Sequence, residues 1–546
     1  MATAGPAARR ELSYARGETR PALLETTIGA DLAATANAHP DRDALVDVAS
    51  GRRWSYAELS ADVRRLASGL LQAGIGAGDR VGIWAPNCAE WVLTQYACAE
   101  IGAVLVNLNP AYRSHELAYA LKQSGAAMVI SASRFKSSDY VALLGEAAPE
   151  CPELREVVFI DNPRWRELAG TAADAAALSK AAAALHTRDP IDIQYTSGTT
   201  GYPKGATLSH HNILNNGYLV GELLGYTEQD RVCLPVPFYH CFGMVMGNLA
   251  ATSHGAAIII PAPGFDPAAT LRAVQDEACT SLYGVPTMFI AELGLPDFAR
   301  YDLTSLRTGI MAGSPCPAEV MRRVIDDMHM TGVAICYGMT ETSPVSTQTR
   351  AEDSLAQRVE TVGRVAPHLE IKVTEPGTGQ TVPRGEVGEF CTRGYSVMTG
   401  YWNDPARTAA VIDADGWMHS GDLAVMDDDG YVRVTGRIKD MVIRGGENIY
   451  PREIEEFLHT HPDILDVQVV GVPDETYGEE LMAVVMMRDG ALPLTREALR
   501  DFCAGRLAHF KVPRYLRVVE EFPLTVTGKV RKDEMRRQAI VHLSGG

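Results

Sequence analysis

Between Arg53 and Ile130 the chain alternates two hydrophobic periodicities, and that alternation leaves it few architectures. Leu59, Val63, Leu66 and Leu70 follow a 4-3-4 spacing, the single apolar stripe of an amphipathic helix, and the next apolar run, Val81-Gly82-Ile83, reads as a short buried strand. The pattern then repeats. Helix-like residues 89–102 lead into Val104-Leu105-Val106, and residues 114–123 lead into Met128-Val129-Ile130. Helical stripes alternating with short apolar strands predict a layered α/β fold.

At 546 residues the chain is too long for one hydrophobic core, so two or three domains are expected. We assign residues 1–437 to a large N-terminal domain, whose last part, 385–437, turns β-rich, with short strands broken by Gly and Asp as in Asp427-Asp-Asp-Gly430. Residues 438–546 read as a small, separate α+β domain: helix 452–460, strands 467–472 and 481–487, helix 496–507 and strand 516–519. The Ala-rich stretch 171–184 is expected to be a surface helix, because Ala is the strongest helix former.

With 46% hydrophobic and 22% charged residues this is the composition of an ordinary globular enzyme. A formal charge of -18 argues against a nucleic-acid partner, while the basic clusters Arg437-Ile-Lys439 and Lys529-Val-Arg531-Lys532 leave room for a small phosphorylated ligand. The ten cysteines form no CxxC pair, so neither a zinc site nor a disulfide framework is indicated, and they read as small buried hydrophobes in a reducing compartment. No apolar run approaches the roughly eighteen residues of a membrane span. The start lacks a signal-peptide core, and Glu11 and Glu18 oppose a transit-peptide reading. A cytoplasmic protein without stable membrane insertion is expected, and the oligomeric state, a homodimer included, is left open.

Residues 195–205, Tyr-Thr-Ser-Gly-Thr-Thr-Gly-Tyr-Pro-Lys-Gly, carry the strongest chemical signal. Thr196, Ser197, Thr199 and Thr200 supply hydroxyl donors, Gly198 and Gly201 let the backbone come close and offer its own amides, and Lys204 adds a mobile positive charge. This is a phosphate cradle in composition, with a mobile Ser/Thr/Gly turn as the alternative. It is not the usual P-loop, because Lys204 is followed by Gly205 and an extended Ala206-Thr207-Leu208 rather than by a helix. Residues 191–194 also look extended. The loop should therefore join two strands, with Ser209 capping a helix over 210–224.

Several other motifs accompany the cradle: Tyr239-His240-Cys241-Phe242-Gly243, Ala312-Gly313-Ser314-Pro315, Tyr337-Gly338-Met339-Thr340-Glu341-Thr342, Trp417-Met-His-Ser-Gly-Asp422, Arg444-Gly-Gly-Glu-Asn-Ile-Tyr-Pro451 and Pro523-Leu-Thr-Val-Thr-Gly-Lys529. Together they resemble the adenylate-forming ligases of the acyl-CoA synthetase branch, from about residue 30 onward, and most of all the medium-chain fatty acyl-CoA ligases. The resemblance implies two half-reactions. A carboxylate attacks the α-phosphorus of Mg·ATP and releases pyrophosphate; then the thiol of coenzyme A displaces AMP from the acyl-adenylate. Such displacement depends on positioning and charge neutralisation.

The same resemblance implies roles for residues. Tyr337 packs on adenine, Thr340 touches the α-phosphate and Glu341 binds Mg²⁺, an ion that favours carboxylate and phosphate oxygens. Gly313, Ser314 and Pro315 border the adenine edge, and Asp422 and Arg437 meet the ribose. Lys529 bridges the substrate carboxylate and the α-phosphate. His240 lines the acyl pocket without an acid or base role. A hinge at Lys439 exchanges the Lys529 loop for the loop of Gly445, Gly446, Glu447 and Asn448. Met244, Val245, Met246, Met311, Met339 and Val345 read either as pocket or as core. On charge alone, Arg444, Lys511 and Arg514 are candidates for the coenzyme A phosphates.

Rival readings remain on the same scaffold. An aryl- or other acid-CoA ligase is the nearest rival, whereas amino-acid activation would place an acidic residue within 238–241, where none stands. A luciferase-like oxidative enzyme is a further alternative. A non-catalytic nucleotide-binding regulator would be expected to lack Lys529 or Glu341, and both are present.

Overall fold

The computed structural model describes residues 11–196, 203–314, 316–445, 447–524 and 530–544. They divide into two compact units, the larger of Ala15–Ile371 and Thr392–Met418, the smaller of Met1–Tyr14, Lys372–Cys391 and His419–Gly546.

Among the described residues the larger unit contains two large sheets and a two-stranded ribbon of Arg134–Phe135 with Ser138–Asp139. The seven-stranded one runs, in order, Gly400–Tyr401, Lys204–Ser209, Pro190–Thr196, Val104–Asn107, Arg80–Trp84, Ala126–Ser131 and Glu156–Phe159. Its last five strands are parallel, and Lys204–Ser209 is antiparallel to both of its neighbours. The nine-stranded sheet has a parallel centre from Asp43–Asp47 to Gly332–Gly338, with antiparallel strands at its edges.

The helix stripe read from sequence is real. Tyr56–Gln72 starts at a Ser55/Glu58 capping box and buries Leu59, Val63, Leu66 and Leu70, each burial contributing about 2 kcal/mol. Helix Ala89–Ile101 is buried nearly all round and stops at Gly102, whose φ of 73° suits glycine. The Ala-rich segment forms helix Ala175–Ala183, held at its start by Asp174. His210–Leu224 is a helix between a Ser209 cap and a left-handed Gly225.

In the smaller unit, Ile464–Asp474 and Gly478–Met487 pair antiparallel, Tyr515–Val518 joins in parallel, and Val442–Arg444 with Glu447–Ile449 completes a five-stranded sheet. Strand alternation separates two cores: Val467, Val469, Leu481 and Ala483 pack with Ile454, Leu458 and Leu499, while Val470, Val472 and Met482 pack with Met535 and Ala539. Helix Arg496–Cys503 ends short of the expected residue 507, just before a left-handed Gly505.

Sequence pattern attaches residues 385–437 to the N-terminal domain. By contact, residues 372–391 and 419–437 group instead with the C-terminal residues. Strand Val432–Arg437, antiparallel to Met418–Met426, is packed by helix Pro451–Leu458, which lies beyond the boundary drawn at 437. Among the described residues no helix is long and apolar enough to cross a membrane. The ten cysteines are free, most of them buried.

Candidate active site

The cradle closes a hairpin. Tyr195 stands opposite Gly205 and Thr196 opposite Lys204, so the segment between them leaves the carboxyl end of a parallel-sheet strand, where open α/β sheets take ligands. A Cβ at Gly205 would come within 2.8 Å of Ile193, and the Gly205 carbonyl accepts the Trp402 N–H at 2.7 Å. Tyr195 anchors the strand by donating to Gln123 at 2.6 Å. Lys204 places its ammonium 4.9 Å from the centre of the Tyr401 ring. Ser197, Gly198, Thr199, Thr200 and Gly201 lie outside the described residues, as do Pro315, Gly446 and Lys529.

Glu341 sits in the turn Thr340–Thr342 just past strand Gly332–Gly338. Gly338 permits the turn, since a Cβ there would lie 1.8 Å from the Pro344 carbonyl oxygen. The Glu341 residue is only 6% exposed, and its Oε1 accepts the Tyr401 hydroxyl at 2.8 Å and the Thr196 hydroxyl at 3.4 Å. Burial first, and then the Glu341 carboxylate, pushes the Tyr401 phenol up, so it stays a donor. Among the described residues both bonds fall on Oε1, leaving Oε2 for a hard cation. An oxygen-only environment of one carboxylate, two hydroxyls and incoming phosphates suits Mg²⁺.

The acyl-side motif is tied to the same strand. Gln194 accepts the Cys241 N–H at 3.2 Å and donates to the Tyr239 carbonyl at 3.2 Å. His240 caps the turn Cys241–Gly243 by accepting the Phe242 N–H on Nδ1 at 3.1 Å, which occupies that lone pair and suits a lining role. Met244, Val245 and Met246, in a π-helical stretch Met244–Leu249, are buried in one core with Val345, and Met339 packs at its edge. Met311 does not join them. On its strand Ile310 and Ala312 face that core, whereas Met311 points through the other face toward Phe289 and Met321. Of the two readings open for Met311, pocket or core, this alternation places it in the second core cluster.

On the same strand as Gln194, Asp192 is buried with neither carboxylate oxygen hydrogen-bonded among the described residues. Burial pushes its pKa well above the carboxylate range, which keeps it a neutral acid. Sequence reasoning passed over Asp192, Gln194 and Tyr401. Only the period-two pairing of Asp192 with Gln194, on the strand face opposite Ile191 and Ile193, could have flagged the first two.

Among the adenine candidates, Gly313 has a φ of 94° and Tyr337 is half-buried. In the smaller unit, Asp422 lies directly opposite Arg437, whose Nε donates to Oδ1 at 3.0 Å, so the two ribose candidates are brought together. Lys439 lies in the short helical turn Ile438–Asp440. Gly445 is left-handed and Glu447 exposed. The cations assigned on charge alone all meet carboxylates: Arg444 reaches Glu480 at 2.8 Å, Lys511 reaches Glu453 at 2.7 Å, and Arg514 reaches Asp474 at 3.0 Å.

These features define a class, an α/β enzyme that handles a phosphorylated nucleotide at its strand ends. The chain belongs to the AMP-binding enzyme family, whose main domain matches residues 32–402 and whose C-terminal domain matches 453–529. It is similar to the YngI protein of Bacillus subtilis (strain 168), with 50% identity covering 95% of this chain and 98% of the relative. It is also similar to a mitochondrial medium-chain acyl-CoA ligase, ACSF2, of Danio rerio, with 45% identity covering 96% and 90%. The anthranilate CoA ligase AuaEII, solved with anthranoyl-AMP, superposes with a TM-score of 0.85 at 25% identity, covering 95% of this chain and 98% of that one. The chain is an AMP-forming acid–CoA ligase: with ATP it joins a carboxylic acid to coenzyme A by way of an acyl-adenylate.

Proposed function

We propose that the acid is a medium-chain fatty acid. The observation that carries this is the buried run Met244, Val245 and Met246, closed by Val345 and tethered through Gln194 to the strand that delivers the phosphate hairpin. Flexible, unbranched Met suits a linear aliphatic chain, and the absence of an acidic residue in 238–241 disfavours an amino acid. Similarity to a medium-chain ligase supports the same reading. An aryl acid is the second reading, favoured by the likeness to the anthranilate ligase. AMP release dependent on coenzyme A, measured across straight-chain acids of graded length and across benzoates, separates them: a maximum at intermediate length is expected, and a maximum on an aryl acid overturns the proposal.

The residues divide the work as their chemistry allows. Thr196 to Gly201 with Lys204 grip the leaving pyrophosphate, Thr340 positions the α-phosphate, and Glu341 would hold Mg²⁺, which when bound neutralises charge on the phosphate oxygens. Gly313, Ser314, Pro315 and Tyr337 seat adenine, Asp422 and Arg437 hold the ribose, and Lys529 pairs with the two anions that must approach each other. His240, Met339 and the buried apolar run line the acid, and Gly445, Gly446 and Glu447 serve the coenzyme A half-reaction. The hinge stays at Lys439, with the functional boundary between 437 and 438. Lys439→Pro should impair thioester formation more than adenylate formation, and equal loss of both would refute the hinge. We place the enzyme in the cytoplasm, in keeping with its free cysteines; cell fractionation recovering it in another compartment would refute this.

A further inference from the structure

Beside the ribose candidates Asp422 and Arg437, three side chains of different ligand chemistry converge in the smaller unit. Glu389 and Cys391 stand at i and i+2 on strand Gly388–Gly394, so both side chains leave the same face. His419 comes from the neighbouring strand Met418–Met426. Its Nδ1 lies 2.9 Å from Glu389 Oε2 and 3.4 Å from Cys391 Sγ, and the three donor atoms all fall within 4.8 Å of one another. Cys391 is wholly buried, while the Glu389 and His419 side chains are 13% and 28% exposed, which leaves a path from solvent.

The arrangement does not make a nucleophilic triad. There the sulfur and the carboxylate would sit on opposite ring nitrogens, whereas here both approach Nδ1. A shared central ion accounts for the convergence better. With Zn–N near 2.0 Å and Zn–S near 2.3 Å, a tetrahedral edge between N and S is about 3.5 Å, close to the separation found. The Glu389 oxygen has to give by a few tenths of an ångström to reach the corresponding N–O edge of about 3.3 Å. Strands fix the three Cβ positions, so little ordering is left for binding to impose.

We infer that Glu389, Cys391 and His419 form a site for a borderline-soft divalent cation, Zn²⁺ or its surrogate Co²⁺, with a fourth position open to water. The thiolate and imidazole make it a poor site for Mg²⁺, which takes oxygen ligands and belongs with Glu341. Ligation also reaches the neighbouring turn. The other Glu389 oxygen, Oε1, accepts the Gly421 N–H at 3.0 Å, so a fixed carboxylate steadies the residue immediately before Asp422.

The test uses the metal-free full chain, kept reduced without added thiols, and Co²⁺ alone. One equivalent should bind with a sulfur-to-cobalt charge-transfer band and tetrahedral visible bands, both erased by Zn²⁺. Cys391→Ser should abolish the charge-transfer band, and His419→Gln and Glu389→Gln should each weaken binding by about tenfold to a hundredfold. Cys336→Ser, at a cysteine buried in the other unit, should change neither. No band in the wild type, or a band that survives Cys391→Ser, overturns the proposal. Should Cys391→Ser fail to fold, the two partly exposed ligands carry the test, and unchanged Co²⁺ affinity in both overturns it. None of these readouts depends on ligase activity.

Discussion

In the larger unit, the ionisable groups nearest the chemistry are held without opposite charges. Lys204 lies over an aromatic ring, Glu341 is held by two hydroxyls, and Asp192 is buried unbonded, with no carboxylate pairing Lys204 among the described residues. In the smaller unit Arg444, Lys511, Arg514, Lys532 and Arg536 each meet a carboxylate at 2.6 to 3.0 Å. Charge withdrawn from water without a partner is costly, and a ligand that brings the partner recovers that cost. A triphosphate with a divalent cation does so for Lys204 and Glu341. The smaller unit's cations already hold a carboxylate each, so a coenzyme A phosphate at Arg444, Lys511 or Arg514 meets a charge that is largely neutralised beforehand.

The contrast between the units is most exposed to failure at Lys529, for which we propose the bridge between the substrate carboxylate and the α-phosphate. Lys529→Ala should lower adenylation about a thousandfold, or about 4 kcal/mol of barrier, measured by pyrophosphate exchange. Thioester formation from supplied acyl-adenylate should be largely kept. Adenylation at the wild-type rate would mean that Lys529 does not serve the first half-reaction.

A smaller effect is expected at Glu341, where hydroxyl partners should mark a carboxylate kept for a metal. Glu341→Gln should reduce adenylation about a hundredfold, about 2.7 kcal/mol, with a rise in the Mg²⁺ concentration needed for half-maximal rate. Tyr401→Phe removes one hydrogen bond and should cost about tenfold at most. If Glu341→Gln leaves the Mg²⁺ dependence untouched, the carboxylate is structural and the contrast between the units loses its functional meaning.

Much of this is legible in the sequence because its signals are local. Ser209 and Gly225 bracket their helix through capping rules, and the extended runs around the cradle need only their β-branched residues. Partnerships across long separations are not legible. Nothing near Tyr401 announces Glu341, and nothing near Gln194 announces Cys241. The face of Met311 follows from strand alternation, but which face meets the acid is decided by the whole sheet. Glu389, Cys391 and His419 are invisible for the same reason: a search for CxxC pairs finds spacings within one segment, whereas this cluster forms across two strands.

Unpaired burial should also make the larger unit's stability depend on pH. His210, fully buried, accepts the Ile28 N–H at 3.3 Å, and burial depresses its pKa from 6.5 to about 4. As pH falls from 7.5 to 5, the unfolded chain takes up a proton that the folded one refuses, so stability drops, by about 2 kcal/mol over that window. Asp31 opposes this, because burial raises its pKa from 3.8 to about 6 and the folded state then gains the proton first. The difference between wild type and His210→Gln in urea unfolding isolates the histidine. It should shrink toward acid pH, and a difference independent of pH would show that His210 is not held neutral.

The smallest effect should come from Arg514, and its smallness is the point. Its side chain is 48% exposed beside Asp474, the kind of surface pair worth at most about 1 kcal/mol. Arg514→Ala should therefore shift the urea midpoint only slightly. If the carboxylate already satisfies the guanidinium, the KM for coenzyme A should stay within about twofold, because a charge that is paired beforehand gains little by exchanging one anion for another in water. A large rise in that KM with unchanged adenylation would show that the pair opens for the coenzyme A phosphates. Pairing in the smaller unit would then be a resting arrangement of its binding charges, and the contrast with the larger unit would reduce to which anion is present at the time.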